Sequence, residues 1–187
     1  MKRYFSKRFF DVFFALFFLF FLSPLFLVIA LLVRSNSPGK ALFFQERVGK
    51  GRKIFTIYKF RTMGQGTGGP VLTEKNDPRV TSVGRILRRT SLDELPQLLN
   101  ILKGEMSFIG PRPEVPSIVE TYSAEQYGVL EVLPGLTGWS QVHGRDDLDI
   151  STKLGYDLEY ARRVSLLLDL EILLRTPSLL ISGRGIK

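Results

Sequence analysis

A nearly unbroken apolar run from Val12 to Val33 constrains this chain of 187 residues more than any other feature. As a single α-helix the run would reach about 33 Å, roughly the thickness of a bilayer's hydrocarbon core. Only Ser23 and Pro24 interrupt it. Pro24 has no N–H and its ring crowds the carbonyl of Phe20, so a kink is expected near the middle. The Ser23 hydroxyl can satisfy a backbone group freed there. A cleaved secretory leader fits poorly. The basic start is present, but the run is too long and no small-x-small site follows it.

Charge bears on how such a helix sits. Lys2, Arg3, Lys7 and Arg8 precede the run; Arg34, Lys40, Arg47, Lys50, Arg52 and Lys53 follow it. The positive-inside rule sends both flanks to the cytoplasmic face. Two arrangements meet these residues: a plain spanning helix, and a re-entrant hairpin that breaks at Ser23-Pro24 and returns. In the hairpin, Asp11 is expected at headgroup level, paired with a neighbouring Arg or Lys.

Composition closes several chemical routes. There is no Cys, which excludes disulfides, thiolate zinc sites and cysteine nucleophiles. There is one histidine, His143, so a multi-histidine metal site is excluded and a Ser-His-Asp triad would have to use that residue. Carboxylates, hydroxyls, Lys and Arg must carry any chemistry. The net charge of +8 attracts nucleic acid, anionic lipid heads or phosphate-bearing small molecules without choosing among them.

Beyond the apolar run, Ser35 to Gly39 reads as a turn. Ala41–Phe44 and Ile54–Phe60 read as the strands of a hairpin joined around Gly49-Lys50-Gly51. Gly64 to Pro70 is glycine-rich, lacks the Gly-Lys-Ser/Thr of a phosphate loop, and reads as a mobile loop able to act as a lid. Val83 to Lys103 is helical in pattern, in two parts. Within it, Ser91-Leu92-Asp93-Glu94 fits a capping box, which places Asp93 and Glu94 in the first turn of a helix that Gly104 ends. Phe108 to Pro116, carrying Pro111, Pro113 and Pro116, must be extended and stiff. Pro134 to Gly138 reads as a tight turn. Leu154 to Ile181 is again helical and very apolar. It suits either the core or a membrane surface, with Arg162, Arg163 and Arg175 at the headgroups.

The bland reading of Asp93-Glu94 is a helix cap: Glu94 closes the capping box and Asp93 favours the positive helix end. Its surroundings argue for more. Lys59 and Arg61 end the hairpin, Arg85, Arg88 and Arg89 lie just upstream, Arg112 stands between two prolines, and Arg145 follows Gly144. Stiff backbone around Arg112 suggests aimed, bidentate recognition of phosphate. A carboxylate at a helix N-terminus among cations is expected to keep a low pKa and stay ionised. It can attack phosphorus and form an acyl phosphate, or ligate Mg²⁺ together with substrate phosphates. A diphosphate substrate facing it requires such a cation or several Arg residues. The residues suit phosphoryl-group chemistry at a membrane surface. A basic, membrane-anchored protein that binds nucleic acid or anionic lipid without catalysis explains the charge and the anchor, but neither the acidic pair nor Arg112. A hydrolase of nucleotide-sugars would use the same carboxylates and need no lipid.

Four motifs in order resemble the bacterial sugar transferases known as monotopic phosphoglycosyl transferases. They are Lys59-Phe60-Arg61-Thr62-Met63, Ser91-Leu92-Asp93-Glu94-Leu95-Pro96-Gln97, Gly110-Pro111-Arg112-Pro113 and Pro134-Gly135-Leu136-Thr137-Gly138-Trp139. The resemblance covers nearly the whole chain and looks like the minimal catalytic form. It implies an α/β, mostly helical protein. Residues 1–36 would form a re-entrant membrane helix-break-helix. Residues 37–187 would form a small catalytic domain at the cytoplasmic face of the bacterial inner membrane, with a short β-hairpin and amphipathic interfacial helices. The implied reaction transfers a phosphosugar from a UDP-sugar to polyprenyl (undecaprenyl) phosphate and releases UMP, as the first membrane step of glycoconjugate assembly. By motif position, Asp93 would be the nucleophile and lie by Mg²⁺, and Glu94 would be its partner acid. Lys59, Arg61, Arg88, Arg112, Arg145 and Asp157 would serve the substrate, and Ser23-Pro24 the membrane break. The implied partners are donor, lipid acceptor and membrane lipids, with no nucleic acid, and a homodimer is compatible with them. One departure stands out: His143 occupies a position where the family often has Asn.

Overall fold

A computed structural model describes residues 2–64, 66 and 77–182. Of the glycine-rich stretch, residues 65 and 67–70 lie outside the described residues. The apolar run is a broken helix. Helix α1, Lys2–Phe21, and helix α2, Ser23–Asn36, meet at Leu22 with 63° between their axes. The break has the expected local cause. Pro24 offers no N–H to the carbonyl of Phe20, and the Ser23 hydroxyl donates to that carbonyl instead, at 2.8 Å. No single helix among the described residues is long and apolar enough to cross a membrane; the two arms qualify only as a bent pair.

Each arm buries one stripe and exposes the other. Ala15 of α1 is fully buried against Phe55, Ile57, Leu98, Ile101 and Met106. Ile29 and Val33 of α2 pack on Phe60 and Leu87, with Leu92 and Leu95 at the margin. The opposite faces leave Phe9, Phe13, Phe20, Leu27 and Leu31 exposed.

Two cations pin the start of α1. Lys7 Nζ donates to the carbonyl of Ile109 (2.8 Å), to Tyr160 Oη (2.9 Å) and to Asp169 Oδ2 (2.8 Å). Arg8 donates to the carbonyls of Ile101 and Leu102. Asp11 lies within the electrostatic reach of Lys7 and Arg8, but among the described residues its hydrogen bonds go elsewhere. Its Oδ1 accepts from Ser107 Oγ and the Phe108 amide, both at 3.0 Å. The neighbouring Lys7 makes its ion pair with Asp169, at 2.8 Å.

Strands β1 (Leu42–Val48) and β2 (Ile54–Phe60) form the expected antiparallel hairpin, in a register running from Leu42↔Phe60 to Val48↔Ile54. Strand β1 runs four residues further than the apolar pattern suggests, because pairing with β2 carries Gln45 to Val48 along. The turn needs Gly51, whose φ is 65°. The outer edge of β2 is closed by a side chain: Asn100 accepts from the Tyr58 amide and donates to the Thr56 carbonyl.

Helix α3, Ser82–Thr90, is capped by Thr81, whose hydroxyl accepts from the Gly84 amide. It leads through a 3₁₀ segment, Leu92–Gln97, into α4, Leu98–Lys103, which Gly104 ends at φ 83°. Strand β3 is Ser107–Ile109, and α5 is Pro116–Val119. Pro134 to Gly138 is not the isolated turn the sequence suggests. Gly135–Thr137 forms strand β4, parallel to β3. Glycine makes this approach possible, since a Cβ on Gly135 would lie 2.1 Å from the Gly110 nitrogen.

The apolar C-terminal stretch is interrupted as well. Helix α6, Trp139–Val142, precedes α7, Ile150–Arg163, and α8, Leu166–Ser182. Ser165 Oγ accepts from the Leu168 amide at the start of α8. Leu168 and Ile172 pack with Ile109, Val132, Trp139 and Tyr160, while Leu167 and Leu174 face outward.

Candidate active site

The 3₁₀ segment carrying Asp93 and Glu94 lies against β2 and α3, and its Leu92 and Leu95 pack on the cluster of Ile29, Val33, Phe60 and Leu87. The capping box expected at Ser91 is absent. Ser91 is left-handed, with φ 56°, and ends α3; its side chain caps nothing. Glu94 is thereby released from capping and turns into the protein, where Oε1 accepts from Lys59 Nζ at 2.8 Å and from Arg112 Nη2 at 2.9 Å. Lys59 comes from β2 and Arg112 from the proline-rich segment after β3, so one carboxylate oxygen gathers cations from two distant parts of the chain.

Asp93 is 8 % exposed. Among the described residues its carboxylate takes no hydrogen bond; its neighbours are charges, namely Glu94, Lys59, Arg112 and Arg88. The two acids are driven apart. Burial, and then the charge of Glu94, push Asp93 up to about 6, against the pull of Lys59, Arg112 and Arg88. Burial also works on Glu94, but Arg112 and Lys59 more than reverse it and hold its carboxyl well below the usual range. The low pKa expected of Asp93 therefore belongs to Glu94. A six-residue 3₁₀ segment supplies little dipole to an acid whose desolvation dominates.

The other residues singled out by sequence divide clearly. Arg88 acts on Asp93 electrostatically and donates through Nε to Thr62 Oγ1 at 2.9 Å. Arg145, at φ 52°, reaches Ser91 Oγ at 3.3 Å, two residues from Asp93. Arg61 does not join them. Its guanidinium donates to the carbonyls of Pro38, Ser37 and Val33, closing the C-terminal end of α2. Asp157 is on α7 beside Ser140, with Glu114 of the proline-rich segment among its charged neighbours. It is buried, with Oδ1 lacking a hydrogen-bond partner. Burial pushes it up to about 7, with Glu114 adding to the rise and Ser140 and Lys153 opposing it. His143 is packed between Trp139 and Tyr156, its Nδ1 2.8 Å from the Trp139 carbonyl. Sequence reading missed Thr62, Ser91 and Arg47 as supports of the site. Only the hairpin register reveals that Arg47 shares a face with Lys59.

For a divalent cation, no cluster of three or more His, Cys, Asp or Glu side chains exists among the described residues. The donors that are present suit Mg²⁺, which takes one or two carboxylates and fills its remaining positions with substrate phosphates and water. Among the described residues neither Asp93 oxygen takes a hydrogen bond, and the bonds from Lys59 and Arg112 to Glu94 both fall on Oε1.

An ionisable carboxylate with no hydrogen bond among the described residues, beside a second acid that organises Lys and Arg, is an arrangement suited to group transfer on a phosphate-bearing substrate. The match to known sequences agrees. Residues 2–183 match the family described as bacterial sugar transferase, and the chain belongs to it. It is 41 % identical to the exopolysaccharide production protein ExoY of Rhizobium meliloti, over 96 % of this chain and 87 % of that protein. It is 42 % identical to the UDP-N-acetylgalactosamine-undecaprenyl-phosphate N-acetylgalactosaminephosphotransferase of Aeromonas hydrophila, over 97 % of this chain but 45 % of that one. It is also 42 % identical to the UDP-glucose:undecaprenyl-phosphate glucose-1-phosphate transferase of Escherichia coli K12, over 91 % of this chain and 39 % of that protein. The chain thus spans less than half of these last two relatives.

Proposed function

We propose that this chain transfers a sugar phosphate from a UDP-sugar to a polyprenyl phosphate at the cytoplasmic face of the bacterial inner membrane. The observation that carries the proposal is the convergence of Lys59, Arg88 and Arg112 on the Asp93–Glu94 pair. The names of the Aeromonas and Escherichia relatives, which specify UDP-sugar donors and undecaprenyl phosphate, support the substrate class.

In the proposed reaction an Asp93 carboxylate oxygen attacks the phosphorus that carries the sugar. The bond from that phosphorus to the UMP oxygen breaks, and UMP leaves with its electron pair. A phosphate oxygen of the lipid then attacks the same phosphorus, and the acyl phosphate bond breaks to regenerate Asp93. Glu94 stays ionised and holds Lys59 and Arg112 toward the donor's phosphates. Arg88 and Arg145 flank the site. Mg²⁺, held by Asp93, would supply charge neutralisation on the diphosphate.

The bent α1–α2 pair acts as a re-entrant anchor, with its exposed Phe and Leu residues in lipid and both basic flanks on one side. The outward leucines of α8 lie at the same interface. Because Leu92 and Leu95 pack on the cluster that Ile29 and Val33 of α2 form with Phe60 and Leu87, the depth of the dyad is tied to the anchor.

The test is UMP release by purified protein in nanodiscs, with a panel of UDP-sugars, Mg²⁺, and undecaprenyl phosphate present or absent. One donor should give UMP, and Asp93→Asn should abolish it. An Asp93→Asn variant as active as the parent would refute the nucleophile. Continuous turnover without lipid would mean hydrolysis.

A further inference from the structure

Arg112 reaches Glu94 from a segment held on both sides. On one side β4 grips it: the Gly110 amide donates to the Thr137 carbonyl at 2.9 Å, and the Gly135 amide to the Pro111 carbonyl at 2.8 Å. No side chain fits there, since a Cβ on Gly110 would lie 2.2 Å from the Leu133 carbonyl oxygen. On the other side β1 grips it. The Val48 amide donates to the Glu114 carbonyl at 2.9 Å, and Arg47 Nη1 donates to the Pro113 carbonyl at 2.9 Å.

Arg47 is an unusual choice for that second grip. Its side chain is 17 % exposed and its Nε is buried without a partner. Its nearest carboxylate, Glu114 Oε2, is 3.7 Å away, too far for a good hydrogen bond. Gln45 Oε1, two residues along the same strand face, accepts from Nη2 at 2.7 Å and orients the fork. Burying a guanidinium this poorly compensated is costly. Packing β1 onto the proline segment needs no charge at that point, because the Val48 backbone bond already joins the two.

What the charge adds is a second layer of cation behind the first. Arg112, Glu114 and Glu94 are the charged groups that Arg47 feels. We propose that Arg47 is a positioning residue, acting through Pro113 and Arg112 to hold the Arg112 guanidinium at the donor's phosphates. The inference rests on the transferase reading and adds to it a member that touches neither substrate nor dyad. Gln45 orients Arg47, Arg47 holds Pro113, and the proline-fixed backbone passes that placement to Arg112.

A double-mutant cycle in full-length protein tests this, using Arg47→Met, Arg112→Met and the pair, with initial rates of UMP release over a range of donor concentrations. Arg47→Met should raise the donor KM and lower kcat/KM by about tenfold or more, as expected for a misplaced phosphate contact. In the Arg112→Met background, Arg47→Met should change kcat/KM by less than about threefold, because the residue it acts through is gone. Arg47→Lys, which keeps one donor for the Pro113 carbonyl, should recover part of the loss, and it replaces Arg47→Met in the cycle if the Met variant does not fold. Multiplicative losses in the double variant would overturn the inference. So would a fall in kcat at unchanged donor KM, the mark of a merely smaller folded fraction. If the parent itself releases no UMP from any donor, the transferase reading fails and the inference falls with it; an active parent with an additive cycle overturns the inference alone.

Discussion

Replacing Asp157 by Asn should stabilise the protein, and by an amount that grows with pH. The Asp157 carboxyl is pushed up to about 7 from an ordinary 3.8, first by burial and further by Glu114. Its pKa is therefore higher folded than unfolded. Below about pH 4 the acid is neutral in both states and costs nothing. As pH rises the unfolded chain ionises first and is favoured. The cost grows until the folded acid also ionises near 7, then levels off. A shift of about three pKa units corresponds to about 4 kcal/mol at the plateau, at about 1.4 kcal/mol per unit. Asn keeps the size and can still accept a hydrogen bond from Ser140, but it never ionises. At about 2–4 °C per kcal/mol for a chain of this length, Asp157→Asn should melt roughly 10 °C above the parent at pH 8. At pH 5 the advantage should shrink to less than half of that. The assay is thermal unfolding in detergent at a series of pH values, taking the difference between parent and variant so that other titrating groups cancel. A difference that is flat from pH 5 to 8, or a variant that melts lower throughout, would refute the reasoning.

Three other predictions follow from the same contacts. In the proposed reaction Asp93 attacks as the carboxylate, and its carboxyl lies near 6, so the first-turnover rate of UMP release should fall as pH drops through that value. Glu94→Gln, which removes a charge that raises Asp93, should move this acid limb to lower pH, measured by rapid quench; a limb that moves up or stays put contradicts the electrostatics. Lys7→Met or Asp169→Asn each leave a partner of the buried ion pair uncompensated and should cost about 3 kcal/mol in chemical denaturation, with Lys7→Met/Asp169→Asn costing less than the sum of the two. Since the chain has no cysteine, single cysteines placed at Ser6 and at Ser37 report topology directly. Both should react with an impermeant maleimide added from the cytoplasmic side of inverted vesicles, whereas a spanning helix would leave one of them unlabelled.

What could be read from sequence depended on the reach of each signal. The break at Ser23-Pro24 and the hairpin have local causes, a missing N–H in one case and short apolar runs, the second rich in β-branched and aromatic residues, around a glycine turn in the other; the break and β2 appear where expected, and β1 runs further. Strand β4 has no such signal. Gly135-Leu136-Thr137 is a turn sequence until Gly110, some 25 residues earlier, is brought alongside, and only then does the absence of side chains permit a parallel pair. Arg61 shows the same limit in the site. Its neighbour Lys59 faces the dyad, yet Arg61 serves the end of α2, and nothing in the motif separates the two.

The dyad's ionisation was the least legible feature, and the proposed reaction turns on it. Read as a capping box, Ser91 to Glu94 predicts two low carboxylates spending their charge on a helix end. The left-handed Ser91 cancels that arrangement and turns Glu94 into the cations. Adjacent acids in one short segment then divide the work. Glu94 takes both hydrogen bonds and stays charged, whereas Asp93 takes none among the described residues and is raised by burial and then by its neighbour's charge. An oxygen that is not hydrogen-bonded, on an acid of higher basicity, is the better nucleophile toward phosphorus. The same cations that make Glu94 unreactive are those a diphosphate needs. Donor binding would thus draw Lys59 and Arg112 toward the phosphates, and the phosphorus would arrive beside Asp93.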